Sequence, residues 1–130
     1  METLSQLKIA FALEGKKGID LFNDGKYWEA HEAWEEVWHK KKGRERAFYQ
    51  GMIHVAASLL KIHRNQFEGA HSQLTRALKR FQVAGPLETG TNDQEFRQKT
   101  EKCRNELLAL GPENLEKFDK NLFPKIEIYQ

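Results

Sequence analysis

Apolar residues recur at intervals of three and four along most of the chain, which is the spacing of helices with one buried face. Residues 26–40 carry all three tryptophans of the sequence on or beside such a stripe. Residues 44–63 are apolar over more than half of a helical wheel, which is typical of the central helix of a bundle. Further stripes predict one helix within 65–85 and another over 93–110.

The two ends of the chain have different patterns. Residues 4–22 predict an N-terminal helix, and glycines within 15–18 predict a break in it. In residues 122–129, which include a proline, apolar and polar residues alternate, and this pattern predicts a tail that lies extended along the helices. We therefore expect an all-α fold: a single-domain antiparallel bundle of four to five main helices over residues 1–130, with an extended C-terminal tail.

The composition of the chain limits the kinds of molecule that it is expected to bind. The sequence has 39% hydrophobic and 31% charged residues, and it contains neither an apolar run of membrane-spanning length nor a signal-peptide pattern. These features predict a cytoplasmic protein without a membrane partner. A net charge of +2 is too small to favour nucleic acid. The single cysteine, Cys103, lies on an apolar stripe and predicts a buried thiol.

Candidate chemistry lies at the edge of the tryptophan-rich stripe. At about 100° per residue, His31 falls beside Trp38, Glu35 lies a little further round, and Glu32 further again. The following helix has only a narrow polar strip, and a short connection places the two helices side by side. We expect a polar cluster between them, with these members: His31, Glu35, Trp38, Arg46, Gln50 and His54.

Two motifs carry a resemblance to a known family. Residues 21–38 read LFNxGxYWEAHExWExxW, and residues 48–53 read FYQGMI, followed by RNxxxGA at 64–70. Over roughly residues 17–82 the chain resembles the bacterial and archaeal family called domain of unknown function 309. The resemblance implies an all-α bundle, and some relatives are labelled predicted metal-dependent hydrolases. Many relatives have glutamine at the position of His54, so the resemblance implies no metal role for that residue.

Three interpretations of the polar cluster stay open. In the first, His31, Glu35 and His54 bind a divalent transition metal, and Glu32 or Glu35 is the catalytic base of a hydrolase. The segment is not the zincin motif, because Glu35 stands where the second histidine should be.

In the second interpretation the cluster only fixes the packing of the helices, with Arg46 paired to a glutamate and Gln50 hydrogen-bonded to His31. In the third it is a non-catalytic site for a ligand or protein partner, including a homodimer formed through Trp28, which lies off the main stripe. The sequence does not identify a small-molecule ligand. His63 falls within the apolar face of its helix and is expected to be packed there.

Overall fold

Helices account for most of residues 11–129, the part of the chain that the computed structural model describes. Five α-helices lie wholly within this range, and two 3₁₀ segments follow them. The helices are α1 (Lys16–Asn23), α2 (Tyr27–Trp38), α3 (Gly43–His63), α4 (Phe67–Ala84) and α5 (Asp93–Leu110), and the 3₁₀ segments are Pro112–Lys117 and Lys120–Leu122. The predicted all-α bundle is confirmed. Nowhere in the described range does a helix combine the length and apolar composition that crossing a membrane requires.

The predicted break in the N-terminal helix is present. Residues 11–14 are helical, Gly15 forms a turn, and α1 begins at Lys16. The earlier part of the predicted helix, residues 4–10, lies outside the described residues.

Helix α3 is the centre of the bundle, as its apolar wheel predicts. It packs against α2 on one side and α4 on the other. Between residues 47 and 62 all positions are buried except five, which follow the polar side of the helix: Gln50, His54, Ala57, Leu60 and Lys61. Solvent therefore reaches this part of α3 only along the strip that the sequence marks as polar.

A close contact between a glycine and a tryptophan holds α1 against α2. Trp34 is completely buried, and its indole Nε1 donates a hydrogen bond to the Gly15 carbonyl oxygen at 3.1 Å. The indole lies so close to Gly18 that any Cβ at that position would overlap it. The ring of Phe22 packs against the same indole, with centroids 5.5 Å apart. Helix α1 can lie this close only because residue 18 has no side chain.

Two asparagines bind the extended C-terminal tail. The Asn23 side chain accepts a hydrogen bond from Ile126 N at 3.0 Å and donates one to Ile126 O at 2.7 Å. The Asn92 side chain accepts from Glu127 N at 2.8 Å and donates to Lys125 O at 3.1 Å. The tail thus joins the end of α1 to the start of α5, and its predicted extended course is confirmed.

Cys103 is fully buried, as predicted. Its thiol donates to the Leu122 carbonyl oxygen at 3.3 Å, and burial raises the pKa of the thiol to about 12. The thiolate, which is the reactive form, is therefore strongly disfavoured.

Replacing Gly18 by alanine is expected to lower the free energy of unfolding by about 1–3 kcal/mol, because the added methyl group overlaps the buried Trp34 indole. Gly69→Ala is the matched control, since Gly69 is also inside a helix and an added methyl group meets only the flexible Lys61 side chain. Alanine favours helix by about 1 kcal/mol over glycine, so this variant should be at least as stable as the native chain. Urea unfolding measures both, and a native-like stability of Gly18→Ala would contradict the expectation.

Candidate functional site

The polar cluster forms along the seam between α2 and α3. At one end, the Arg46 guanidinium carbon lies 4.2 Å from the centroid of the Trp38 ring. One to two turns further along α2, His31 Nε2 and Glu35 Oε1 are 3.5 Å apart. His31 is also near enough to His54 for its positive charge to affect the pKa of that residue. The packing of α2 on α3 thus places Trp38 beside Arg46 and His31 near His54.

Helix α4 supplies one residue of this site that the sequence analysis missed. The Gln73 side-chain oxygen is 2.6 Å from His54 Nδ1, so this nitrogen donates the hydrogen bond and Nε2 is the acceptor of the neutral ring. Gln73 lies next to the apolar stripe of α4, on the side that faces α3. The sequence predicts that Gln73 lies beside the stripe, but it does not indicate a contact with His54.

The surroundings of His54 favour its neutral form. Burial lowers the pKa of His54, and the positive charges of Arg76 and Arg80 lower it further, as does a proton on His31. The hydrogen bond with Gln73 acts in the opposite direction and does not compensate. Arg76 and Arg80 are exposed on α4, so they add positive charge to the α4 side of the seam.

The expected hydrogen-bond network differs from the observed contacts. Within the described residues, Arg46 stacks on Trp38 without an ion pair to a glutamate, and no hydrogen bond joins Gln50 to His31. His31 instead faces Glu35 one turn along its own helix, where side chains four residues apart are neighbours. His31 Nδ1 and Trp38 Nε1 are buried without a hydrogen-bond partner. The two contacts expected within the cluster, from Arg46 to a glutamate and from Gln50 to His31, are therefore not formed in the described residues.

Two other candidate residues lie away from the seam. Glu32 is exposed on the outer surface of α2. His63 is also exposed, so the expectation that it is packed within an apolar face is wrong. It is the last residue of α3, where its ring stacks against that of Tyr27 at a centroid distance of 5.7 Å and lies edge-on to that of Phe123 at 5.4 Å.

The donors of the cluster do not complete a catalytic metal site. His31 and Glu35 could bind one ion, but a catalytic zinc takes three protein ligands. Across residues 11–129, no group of three or more His, Cys, Asp or Glu side chains is placed to hold a metal ion. His54 already uses Nδ1 to bind Gln73. Metal binding by His31, Glu35 and His54 stays a prediction from the sequence, which the side chains as placed do not support.

A family model described as "Domain of unknown function (DUF309)" matches residues 16–73. Over residues 16–73 the chain is similar to this family. The resemblance inferred from the two motifs is confirmed, and the family description states no activity. The DUF309 segment contains the whole polar cluster and ends at Gln73, before Arg76 and Arg80. A comparison with curated proteins finds no match.

The protein should lose stability as the pH falls below about 6.5, the ordinary pKa of histidine, because of His54. Below that pH the unfolded chain takes up a proton on residue 54, whereas folded His54, with its lowered pKa, takes it up only at a lower pH. The free energy of unfolding is therefore highest above this window and decreases through it. His54→Gln should flatten the decrease, because an amide does not titrate.

Urea unfolding between about pH 5 and pH 8 measures this dependence. His39→Gln is the control, since His39 is exposed at the end of α2 and the variant should keep the native slope. Equal slopes for the native chain and His54→Gln would contradict the role assigned to His54.

Proposed function

We propose that this protein is a non-catalytic protein-binding module and that its partner is a second copy of the same chain. The docking face runs across α2, α3 and α4. It consists of Trp28, His31, Glu32, Glu35, Glu36, Trp38, Arg46, Gln50, His54, Arg76 and Arg80. The observation that carries the proposal is the exposed Trp28, which stacks on His31 of the same helix.

Trp28 is the aromatic anchor of the docking face. It keeps 53% of its surface exposed, and its ring lies nearly parallel to that of His31, at an angle of 8° and a centroid distance of 5.3 Å. Stacking on a half-buried histidine holds the indole in place before any partner binds. Preorganised tryptophans and arginines are the residues that contribute most to protein interfaces, because little entropy is lost when they are covered.

The charges of the docking face are complementary to one another. The outward side of α2 exposes Glu29, Glu32 and Glu36, whereas α4 exposes Arg76 and Arg80. Helix α3 separates the two charged surfaces. In a two-fold symmetric dimer each contact occurs twice with the roles of the subunits exchanged. The acidic α2 of each copy can therefore face the basic edge of α4 of the other copy, which favours a second copy over a partner of uniform charge.

The shape of the docking face also favours a protein partner. Small-molecule sites are concave and bury most of the ligand. Here His31, Gln50 and His54 are only half-buried, while Trp28 and Arg46 are exposed. An open surface of this kind is suited to a matching protein surface.

The family resemblance implies a metal-dependent hydrolase. That function would require a different arrangement of the side chains in the polar cluster. It would need a third ligand beside His31 and Glu35, with Glu32 or Glu35 as base. His54 would have to supply that ligand through Nε2. The proposal of a binding module requires no such rearrangement.

The native chain is expected to form a dimer at micromolar concentrations, and Trp28→Ala should weaken it at least tenfold, about 1.4 kcal/mol, without lowering the melting temperature. Sedimentation velocity over a concentration series measures the dissociation constant, and thermal unfolding at a concentration where both chains are monomeric measures the melting temperature. Leu108→Ala is the control, since Leu108 is also exposed but lies on α5. A chain that stays monomeric throughout the series would overturn the proposal.

Charge reversal provides a sharper test of the two-fold arrangement. The double variant Arg76→Glu with Arg80→Glu should be monomeric, and so should Glu32→Arg with Glu36→Arg, because like charges then meet in each homodimer. A mixture of the two variants should form a heterodimer, since both of its contacts pair opposite charges. If the mixture stays monomeric while the native chain dimerises, the dimer uses another surface.

Elemental analysis of the purified protein separates the binding module from the metal-dependent hydrolase. A binding module should retain well below one zinc, manganese or iron per chain, and adding these ions should leave the melting temperature unchanged. His31→Ala should not alter the metal content. One metal per chain that disappears in His31→Ala would favour the hydrolase instead.

A further inference from the structure

Positive charge is concentrated in one part of the chain. Residues 40–84, which run from the turn after α2 to the end of α4, contain ten lysines and arginines but only two acidic residues, a net charge of +8. The rest of the sequence contains eleven lysines and arginines and seventeen acidic residues, a net charge of −6. The whole-chain value of +2 is therefore the sum of two regions of opposite charge, and it gives no reason to exclude nucleic acid as a partner of residues 40–84.

Folding brings seven of these cations to one end of the pair formed by α3 and α4. Arg44, in the first turn of α3, donates from Nε to the Ala84 carbonyl oxygen at the end of α4, at 2.6 Å. Further along α3, His54 contacts Gln73 in the first half of α4. The two helices are thus antiparallel, and the start of α3 lies beside the second half of α4. We call the exposed cations at this place the basic end: Lys40, Lys42, Arg44, Arg46, Arg76, Lys79 and Arg80.

The charge of the basic end is not neutralised by carboxylates of the protein. Of the ten cations in residues 40–84, Lys41 alone forms an ion pair within residues 11–129, and it holds Glu14 at 2.5 Å and Glu45 at 3.3 Å. Arg44 binds carbonyl oxygens just after α4, so it keeps its full charge. The other six members form neither a hydrogen bond nor an ion pair in the part of the chain that the structure describes. Neighbouring like charges repel one another, and a bound polyanion removes that repulsion.

The surroundings of the basic end favour one class of polyanion. An anionic membrane also takes up an apolar surface, but Val83 is the one large apolar residue that residues 40–84 expose. A single-stranded nucleic acid stacks its bases on aromatic rings, but the Trp38 ring is already covered by the Arg46 guanidinium at 4.2 Å. The phosphates of a double helix require neither an apolar surface nor a free ring.

We infer that the basic end binds the phosphate backbone of a double-stranded nucleic acid. Arg76, Lys79 and Arg80 lie within about 6 Å along the axis of α4, and planar guanidinium groups bind phosphate oxygens in pairs. The acidic outer side of α2 repels a polyanion, so the duplex lies along α4 and the turn before α3. The inference goes beyond the proposed dimer, because four members of the basic end lie outside the docking face: Lys40, Lys42, Arg44 and Lys79.

The test measures binding of the full chain to fluorescent DNA and RNA duplexes of about 20 base pairs, by anisotropy over a series of salt concentrations. For DNA, five to seven phosphate contacts predict that the logarithm of the association constant falls with the logarithm of the salt concentration with a slope of about −4 to −6. The double variant Lys42→Gln with Lys79→Gln should weaken binding at least tenfold at about 50 mM salt and make the slope shallower by about 2, because two phosphate contacts are lost.

The matched control is Lys102→Gln with Lys117→Gln, which removes the same charge from exposed residues outside the basic end and should leave affinity and slope unchanged. Neither Lys42 nor Lys79 forms a hydrogen bond or ion pair within the described residues, so their double variant should keep the native melting temperature. Sedimentation velocity without nucleic acid should show the same oligomeric state for this variant as for the native chain, since both residues lie outside the docking face. Loss of duplex binding with an unchanged dimer therefore separates this inference from the proposed function.

Three results would overturn the inference. They are no binding of either duplex by about 100 μM protein at about 50 mM salt, equal losses of affinity in the two double variants, and tighter binding to vesicles that contain phosphatidylserine than to both duplexes. Binding to one duplex but not the other supports the inference and identifies the partner as DNA or RNA.

Discussion

The contact of the Trp34 indole with Gly18 is the constraint on which the positions of the first helices depend. A fully buried ring of this size contributes a large apolar area, and its one polar atom is satisfied by the Gly15 carbonyl oxygen. The same arrangement recurs on α3, where Gly51 leaves room for the ring of Phe81 from α4. A large ring opposite a glycine therefore sets the spacing on both sides of the bundle. This spacing decides which edges of α2 and α4 flank the polar strip of α3.

The sequence predicts the architecture well because hydrophobic periodicity reports burial directly. The apolar wheel of residues 44–63 identifies the central helix, and the glycines near residue 15 identify a real break. A wheel also places His31 and Glu35 beside Trp38, and short connections then bring Arg46 and His54 to the same seam. The sequence therefore predicts which face of each helix is buried and which helices lie next to one another.

The sequence does not predict which individual side chains contact one another. Periodicity gives the face on which His31 lies but cannot decide whether its partner is Glu35 on its own helix or Gln50 on the next. Gln73 is one of several polar residues beside the stripe of α4. The pair Asp93 and Arg97 has the spacing of an ordinary surface ion pair, but the Arg97 guanidinium lies against the rings of Phe48 and Phe81, which belong to other helices. Contacts that depend on such distant segments have no local signal.

Helix α4 contributes to the docking face and also packs against α5. Phe81 accepts a hydrogen bond from Arg97 through its carbonyl oxygen, while its ring fills the space left by Gly51 on α3. This is a direct physical connection from α5 to the centre of the bundle. Phe81 is 3% exposed in a close-packed interior, where a shift of its ring would open a cavity. The position of α4, and with it that of Arg76 and Arg80 in the docking face, therefore depends on the same buried ring that holds α5.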